Sequence, residues 1–353
     1  MKLGTLLLGT AAGLMVASAA QAADLPGEPV PAAVDYVKVC DTFGAGFFYI
    51  PGTETCLDIS GRVRFRVQYD NFGDTDLLRF RADARVDFDI RSSTEYGVLR
   101  TFVRLGDEIN ENFAAGDLGT RNTGAEIDLA FIQLGYLTVG LQGDLANGDV
   151  LYGDNSFAYA TGDDDRVGIA VLVDDLGGGF YVGAGVYSGR GGRSNIIWGE
   201  DDLDDFADVM VQAAVGMAGQ PWGSIDLSAV WRGRDGYLGF GGGGDIFTVK
   251  ATADLNLFEG FGTRLVAAYF DNLDVDDSDF ITLAGAISYG FSDAATVYTG
   301  IRYDIADGDD RWGANLGVDY AVVSGLVLTT EVSYEDTGPD DGWTALMQLS
   351  RSW

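Results

Sequence analysis

From Cys56 onward, apolar and polar residues alternate along the chain with a period of two. Between Phe247 and Leu257, one face carries Phe247, Val249, Ala251, Ala253, Leu255 and Leu257, and the other carries Thr248, Lys250, Thr252, Asp254 and Asn256. Ile281, Leu283, Gly285, Ile287, Tyr289 and Phe291 oppose Thr282, Ala284, Ala286, Ser288 and Gly290 in the same way. Leu326, Leu328, Thr330, Val332 and Tyr334 oppose Val327, Thr329, Glu331 and Ser333. A helix would repeat every 3.6 residues, so these are strands. Turn signals divide the chain into about sixteen of them. The first eight are predicted near 57–70, 77–90, 94–106, 125–134, 137–143, 166–174, 178–188 and 206–217. The others fall near 222–232, 245–255, 262–271, 280–291, 295–304, 311–320, 325–335 and 342–353.

The links alternate in length. Short ones fall at Ser92-Ser93, Gly135-Tyr136, Gly177–Gly179, Gly219–Trp222, Glu259–Phe261, Ser292-Asp293 and Val323-Ser324. Long ones fall between them, at 107–124, 144–165, 189–205, 233–244 and 272–279. Strands with one apolar and one polar face suit lipid on one side and a watery lumen on the other. The expected fold is therefore all-β, a transmembrane antiparallel β-barrel with short periplasmic turns and long external loops. A water-soluble β-sandwich, the alternative, would need no alternation of loop length. The last strand ends the chain on Trp353, and its Arg351 has lipid-facing parity close enough to the terminus for the guanidinium to snorkel.

The N-terminus changes the setting. Met1-Lys2, an apolar run from Leu3 to Ala20 and the small-x-small Ala20-Gln21-Ala22 read as a secretory signal, residues 1–22, cleaved before Ala23. A retained N-terminal anchor is the alternative. No other stretch approaches the length of a transmembrane helix. Cleavage takes the net charge from −32 to −33 by removing Lys2. Such acidity argues against nucleic acid as a partner, and 47% hydrophobic residues argue against disorder. Cys40 and Cys56, the two cysteines of an exported chain, are expected to pair within a periplasmic-side segment, 23–56, ahead of the barrel, 57–353. Such a crosslink is worth roughly 3 kcal/mol in the chain-entropy model; two buried free thiols are the alternative.

Charge is distributed unevenly. Asp163–Asp165, Glu200–Asp205, Asp274–Asp279, Asp307–Asp310 and Asp340-Asp341 all sit in long links. They read as solvated loops, or as carboxylates that hold divalent cations alone or with lipopolysaccharide. Gly241–Asp245 does not repeat, which rules out a calcium-binding β-helix. Nine of the nineteen arginines lie between residues 62 and 104. Arg62, Arg64 and Arg66 share one strand face; Arg79, Arg81, Arg85 and Arg91 share a second, and Arg100 and Arg104 a third. A charge facing lipid at mid-bilayer would cost about 2–4 kcal/mol, so these faces must be luminal. They are expected to form a basic wall, partly neutralised by Asp83, Asp87 and Asp89, that sets a transverse field across a narrowed pore. A purely structural ion-pair network is the alternative. The link 144–165 is long enough to fold inward and face that wall with Asp144, Asp149, Asp154, Asp163, Asp164 and Asp165. With no histidine in the chain, imidazole-based triads and dyads are impossible, and no serine or cysteine has another base at suggestive spacing. An enzyme is not expected.

The segment Tyr36–Leu57, with its Tyr49-Ile-Pro-Gly-Thr-Glu-Thr-Cys56 core, followed by Ile59-Ser-Gly-Arg-Val-Arg64, resembles the start of mature alphaproteobacterial porins. Ala130–Gly135 and the aromatic C-terminus are similar too. The resemblance implies a sixteen-stranded homotrimer in the outer membrane of a Gram-negative bacterium, passing small hydrophilic solutes, with its third external loop narrowing the pore. By strand counting that loop is 144–165. Trp353 stands where phenylalanine is usual, and the barrel-assembly machinery is expected to accept it. The leading reading is a diffusion channel with no cofactor. A sugar- or anion-selective channel and a non-conducting adhesin or structural barrel are the alternatives. Dense acidic loops favour cations at the mouth and the arginine wall favours anions deeper in, giving a weak cation preference at low salt.

Overall fold

The computed structural model describes residues 38–72, 75–114, 117–118, 126–146, 149–153, 165–188, 209–233, 245–272, 279–306 and 310–353. The signal segment 1–22, the stretch up to 37, and Asp154, Asp163 and Asp164 lie outside them. Among the described residues, sixteen long strands form one antiparallel sheet. They are β1 Cys56–Phe72, β2 Thr75–Thr94, β3 Gly97–Ala114, β4 Glu126–Leu134, β5 Leu137–Gly143, β6 Asp165–Val173, β7 Phe180–Ser188 and β8 Val209–Gln220. They continue as β9 Gly223–Arg232, β10 Ile246–Phe258, β11 Phe261–Asn272, β12 Phe280–Ser292, β13 Ala295–Ala306, β14 Arg311–Val323, β15 Leu326–Asp336 and β16 Asp341–Ser352. Each pairs with the next, and β16 pairs with β1, from Gly342 opposite Phe72 to Ser352 opposite Arg62. That last pairing closes the barrel, so every strand edge finds a partner, as hydrocarbon requires.

Burial is inverted relative to a water-soluble protein. Val63, Phe65, Ile169, Val186, Leu265 and Leu316 are exposed on the outer face, while Gln212, Lys250, Thr248, Thr282 and Arg302 are buried inside. The period-two alternation is thus the alternation of lipid and lumen.

The predicted strands are borne out, with two corrections near the start. Ser92 and Ser93 belong to β2, and the turn falls at Glu95-Tyr96. The link predicted at 107–124 is partly strand, because β3 runs to Ala114 and pairs with a two-residue strand, Asp117–Leu118. Polar residues signal a loop in a sequence, but they do not end a strand whose inner face meets water.

Cys40 and Cys56 form the expected disulfide. Both are fully buried, with Phe47 beside them and Phe43 and Tyr49 packed around. The short strand Phe48–Tyr49 pairs with the base of β1, so the segment is hydrogen-bonded as well as crosslinked to the short-turn rim. At the other chain end Arg351 does what its parity requires. Its Nη1 donates to the carbonyls of Ser324, at 3.1 Å, and Ser352, at 2.6 Å, on that same rim.

The seam between the two chain ends has little tolerance. Gly61 and Trp353 exchange backbone hydrogen bonds of 3.2 Å each. A Cβ on Gly61 would lie 2.5 Å from the Trp353 indole and 2.7 Å from the Arg85 carbonyl. Gly61→Val is expected to destabilise the closed barrel by about 1–3 kcal/mol, the range for overpacking. Heating the folded protein and following its mobility in detergent electrophoresis checks this; an unfolding temperature equal to that of the parent would refute the seam argument.

Candidate functional site

The nine arginines of β1–β3 all lie on the inner face, alternating with outward apolar residues. Cross-strand register decides their partners. Asp83 on β2 accepts from Arg64 at 2.8 Å and Arg62 at 3.5 Å. Asp87 accepts from Arg104 at 2.8 Å, with Arg85 4.0 Å away, and Asp70 pairs with Arg79 at 2.6 Å. Asp89 holds Arg91 at 2.6 Å and Arg100 at 2.9 Å. Arg66 donates to Gln348 on β16 at 2.6 and 3.0 Å, and Arg81 has no carboxylate partner among the described residues. The expected local neutralisation is present, with Asp70 as a further contributor. It is incomplete among the described side chains, where nine arginines share this face with Asp58, Asp70, Asp83, Asp87 and Asp89. Directly opposed like charges, Arg62 with Arg85 and Arg66 with Arg81, sit in its middle; such pairs weaken a sheet.

These arginines are a column rather than a ring. Arg79 and Arg91 lie twelve residues apart on one strand, about 40 Å at ~3.3 Å per residue. Arg100 stands opposite Arg91, near the Glu95-Tyr96 turn, well below Arg62, Arg64 and Arg66.

Across the lumen, the described part of the link after β5, residues 144–146 and 149–153, lies against the inner wall. Asp144 caps the turn by accepting from the Ala146 amide at 3.0 Å, and the Leu145 amide donates to Gln212 on β8 at 2.7 Å. Ala146 packs with Ala170, Tyr187, Met210 and Val230 of the inner wall. Val150 and Leu151 are buried against Val266 and Ala286. Lys250 on β10 donates to the Asp149 carbonyl at 3.3 Å, and Asn315 on β14 donates to the Tyr152 carbonyl at 2.5 Å. Arg264 on β11 lies 3.5 Å from the Asp149 carboxylate and 5.0 Å from the Tyr152 ring centre. Burial, with Asp254 adding to it, raises the Tyr152 hydroxyl above its ordinary pKa. Gly153 needs its lack of a side chain, having φ +107° and a virtual Cβ 2.7 Å from Tyr298.

In a ring of sixteen strands, β10 is half a turn from β2. Residues 144–146 and 149–153 therefore lie against the wall that faces the arginine column. Of the six acidic residues predicted on the link, Asp144 and Asp149 are engaged with the loop or its wall as described. Asp165 is the exposed first residue of β6. Asp154, Asp163 and Asp164 fall outside the described residues. Gln212, Lys250, Arg264 and Asn315, which hold the link, were not singled out from sequence; their luminal parity was readable, but not their partner. Tyr181, Tyr187 and Tyr298 also point inward. The acidic links predicted to hold cations lie mostly outside the described residues, among which no group of three or more carboxylate, histidine or cysteine side chains could hold a metal ion.

A closed sixteen-strand barrel with an apolar outer band, a charged lumen and an inward loop defines a membrane channel. A family model described as a porin subfamily matches residues 24–349. Porin Omp2b of Brucella suis biovar 1 (strain 1330) is 31% identical over 394 aligned positions, covering all of both chains. Among solved structures, the outer membrane channel DcaP of Acinetobacter baumannii superposes with a TM-score of 0.66 at 12% identity, over 86% of this chain and 99% of that one. OmpT of Vibrio cholerae, in its trimer form, gives 0.57 at 13% identity, over 85% and 100%. The chain belongs to the porin family: it is an outer-membrane barrel for passive diffusion of ions and small hydrophilic solutes.

Proposed function

We propose that this porin is a general diffusion channel whose bore is set where the 144–165 link faces Arg62, Arg64, Arg66, Arg81 and Arg85. The observation that carries this is the seating of residues 144–146 and 149–153 on the inner wall between β8 and β14, centred across the barrel from the arginines. A fixed field between the two sides aligns solute dipoles and disfavours apolar solutes. Arg79, Arg100 and Arg104 extend the basic column above and below that level.

The working unit is a homotrimer, a reading supported by the trimeric form of the similar OmpT. The chain reaches the outer membrane after removal of residues 1–22. The exposed aromatic terminus, Trp353, is the element offered to the barrel-assembly machinery, and the outer apolar band meets lipid and lipopolysaccharide. The acidic external links concentrate cations, divalent ones included, at the mouth. Transport through such a pore requires no catalytic group.

Planar-bilayer recording of the folded protein under a KCl gradient tests the proposal. Stepwise openings in groups of three are expected, with a reversal potential of weakly cation-selective sign at low salt. Folded protein that never conducts would favour a plugged structural barrel instead.

A further inference from the structure

At the short-turn end of the lumen the wall carries an arginine pair that the inward link does not contact in the described residues. Arg91 and Arg100 stand directly opposite each other on β2 and β3. Both grip one buried carboxylate, Asp89, through Nε and Nη2. The shortest contacts are 2.6 Å for Arg91 and 2.9 Å for Arg100. Their flat faces are held too. The Phe47 ring centre lies 4.9 Å from the Arg91 guanidinium carbon; Phe102 and Phe131 lie 5.1 and 5.3 Å from that of Arg100. Phe47 is fixed in turn by the disulfide segment, since the Cys40 amide donates to its carbonyl at 2.9 Å. With one edge and one face of each guanidinium fixed, the Nη1 group of each is the donor left over, unpartnered among the described residues. Both arginines line a cavity of about 330 Å³, shared with Gln133, Tyr136 and Asp174.

We propose that this cavity is an exit subsite for small solutes bearing one carboxylate. A carboxylate has two oxygens to receive two guanidinium donors, and charge-assisted bonds of this kind are the strong ones. The donors are already ordered by Asp89 and the aromatic rings, so binding costs little further side-chain entropy. Asp58 stands opposite Asp89 on β1, so the two arginines face two carboxylates, and the pair offers a solute carboxylate its ordered donors rather than excess positive charge. Asp174, exposed on the cavity lining, repels a second negative charge and favours an ammonium group. Monocarboxylates and zwitterionic amino acids are therefore accepted ahead of dicarboxylates. A merely structural ion pair joining the N-terminal segment to the barrel would have no such preference. The subsite rests on the chain conducting as a porin.

The test is current noise from single channels in KCl, titrated with acetate, L-alanine or succinate. Acetate and alanine are expected to give saturable blocking noise at lower concentration than succinate. Arg91→Gln with Arg100→Gln should weaken the acetate block about ten-fold or more, the loss of at least one charge-assisted hydrogen bond. Asp174→Asn, at an exposed position that folding does not depend on, should strengthen the succinate block several-fold. Channels silent in KCl alone would overturn the porin reading and the subsite with it. Channels that open but give no carboxylate-dependent noise would overturn the subsite alone, as would acetate block unchanged in the double variant or succinate block unchanged in Asp174→Asn.

Discussion

Replacing Arg62, Arg64 and Arg66 together with glutamine should move the reversal potential in a KCl gradient well toward the cation limit. The three side chains lie on the inner face of β1, at the level where like charges already oppose each other across β1 and β2. Their removal takes three positive charges from the wall. It also frees Asp83, which accepts from Arg62 and Arg64, to act as an uncompensated luminal carboxylate. Even at the dielectric of bulk water, a unit charge 4 Å from a permeating ion is worth about 1 kcal/mol, or roughly five-fold in local concentration. Three charges acting on both cations and anions make this a large selectivity change for one strand. The shift should be greatest in dilute salt, where screening is weakest. A reversal potential that stays at the parent value would mean the column does not border the narrowest part of the pore.

Arg264→Ala combined with Asn315→Ala should raise single-channel conductance by releasing the inward link. Arg264 touches the link in three ways, through the Leu151 carbonyl at 3.5 Å, the Asp149 carboxylate at 3.5 Å and the Tyr152 ring. Asn315 adds the 2.5 Å bond to the Tyr152 carbonyl. One hydrogen bond to a charged group and one neutral one together contribute about 3 kcal/mol, enough to raise the displaced population roughly a hundred-fold. Val150 and Leu151 still gain from burial against Val266 and Ala286, so openings should flicker between two conductance levels instead of settling at the larger. The β11–β12 and β14–β15 backbone ladders are untouched, and the unfolding temperature of the barrel should barely move. A conductance identical to the parent's would show that residues beyond 153 set the bore without this anchor.

Much of the molecule is legible along the chain, for identifiable reasons. Hydrocarbon admits no unpaired backbone group and no mid-bilayer charge, so outward positions such as Val63, Phe65 and Val67 must be apolar, and Arg62, Arg64 and Arg66 must be inside. Short turns such as Gly135-Tyr136 carry their own signals. Ser92-Ser93 and 107–114 carry loop signals yet belong to strands, because a lumen facing water lets polar residues continue a strand. Lys250, Arg264 and Asn315 are not legible as anchors, since luminal parity says that a side chain points inward but not what it meets there.

The sequence alone determined the barrel, its approximate strand count, its inside and outside and the inward basic face. These follow from local periodicity and from the solvent on each side of the wall. Only the tertiary structure decided that Asp83 serves Arg62 and Arg64, that residues 144–146 and 149–153 rest between β8 and β14, and that Arg91 and Arg100 share Asp89 beneath Phe47 and Phe102. Many of these contacts join residues tens to hundreds of positions apart. They depend on register and on closure of the ring, which bring together side chains that no local pattern relates.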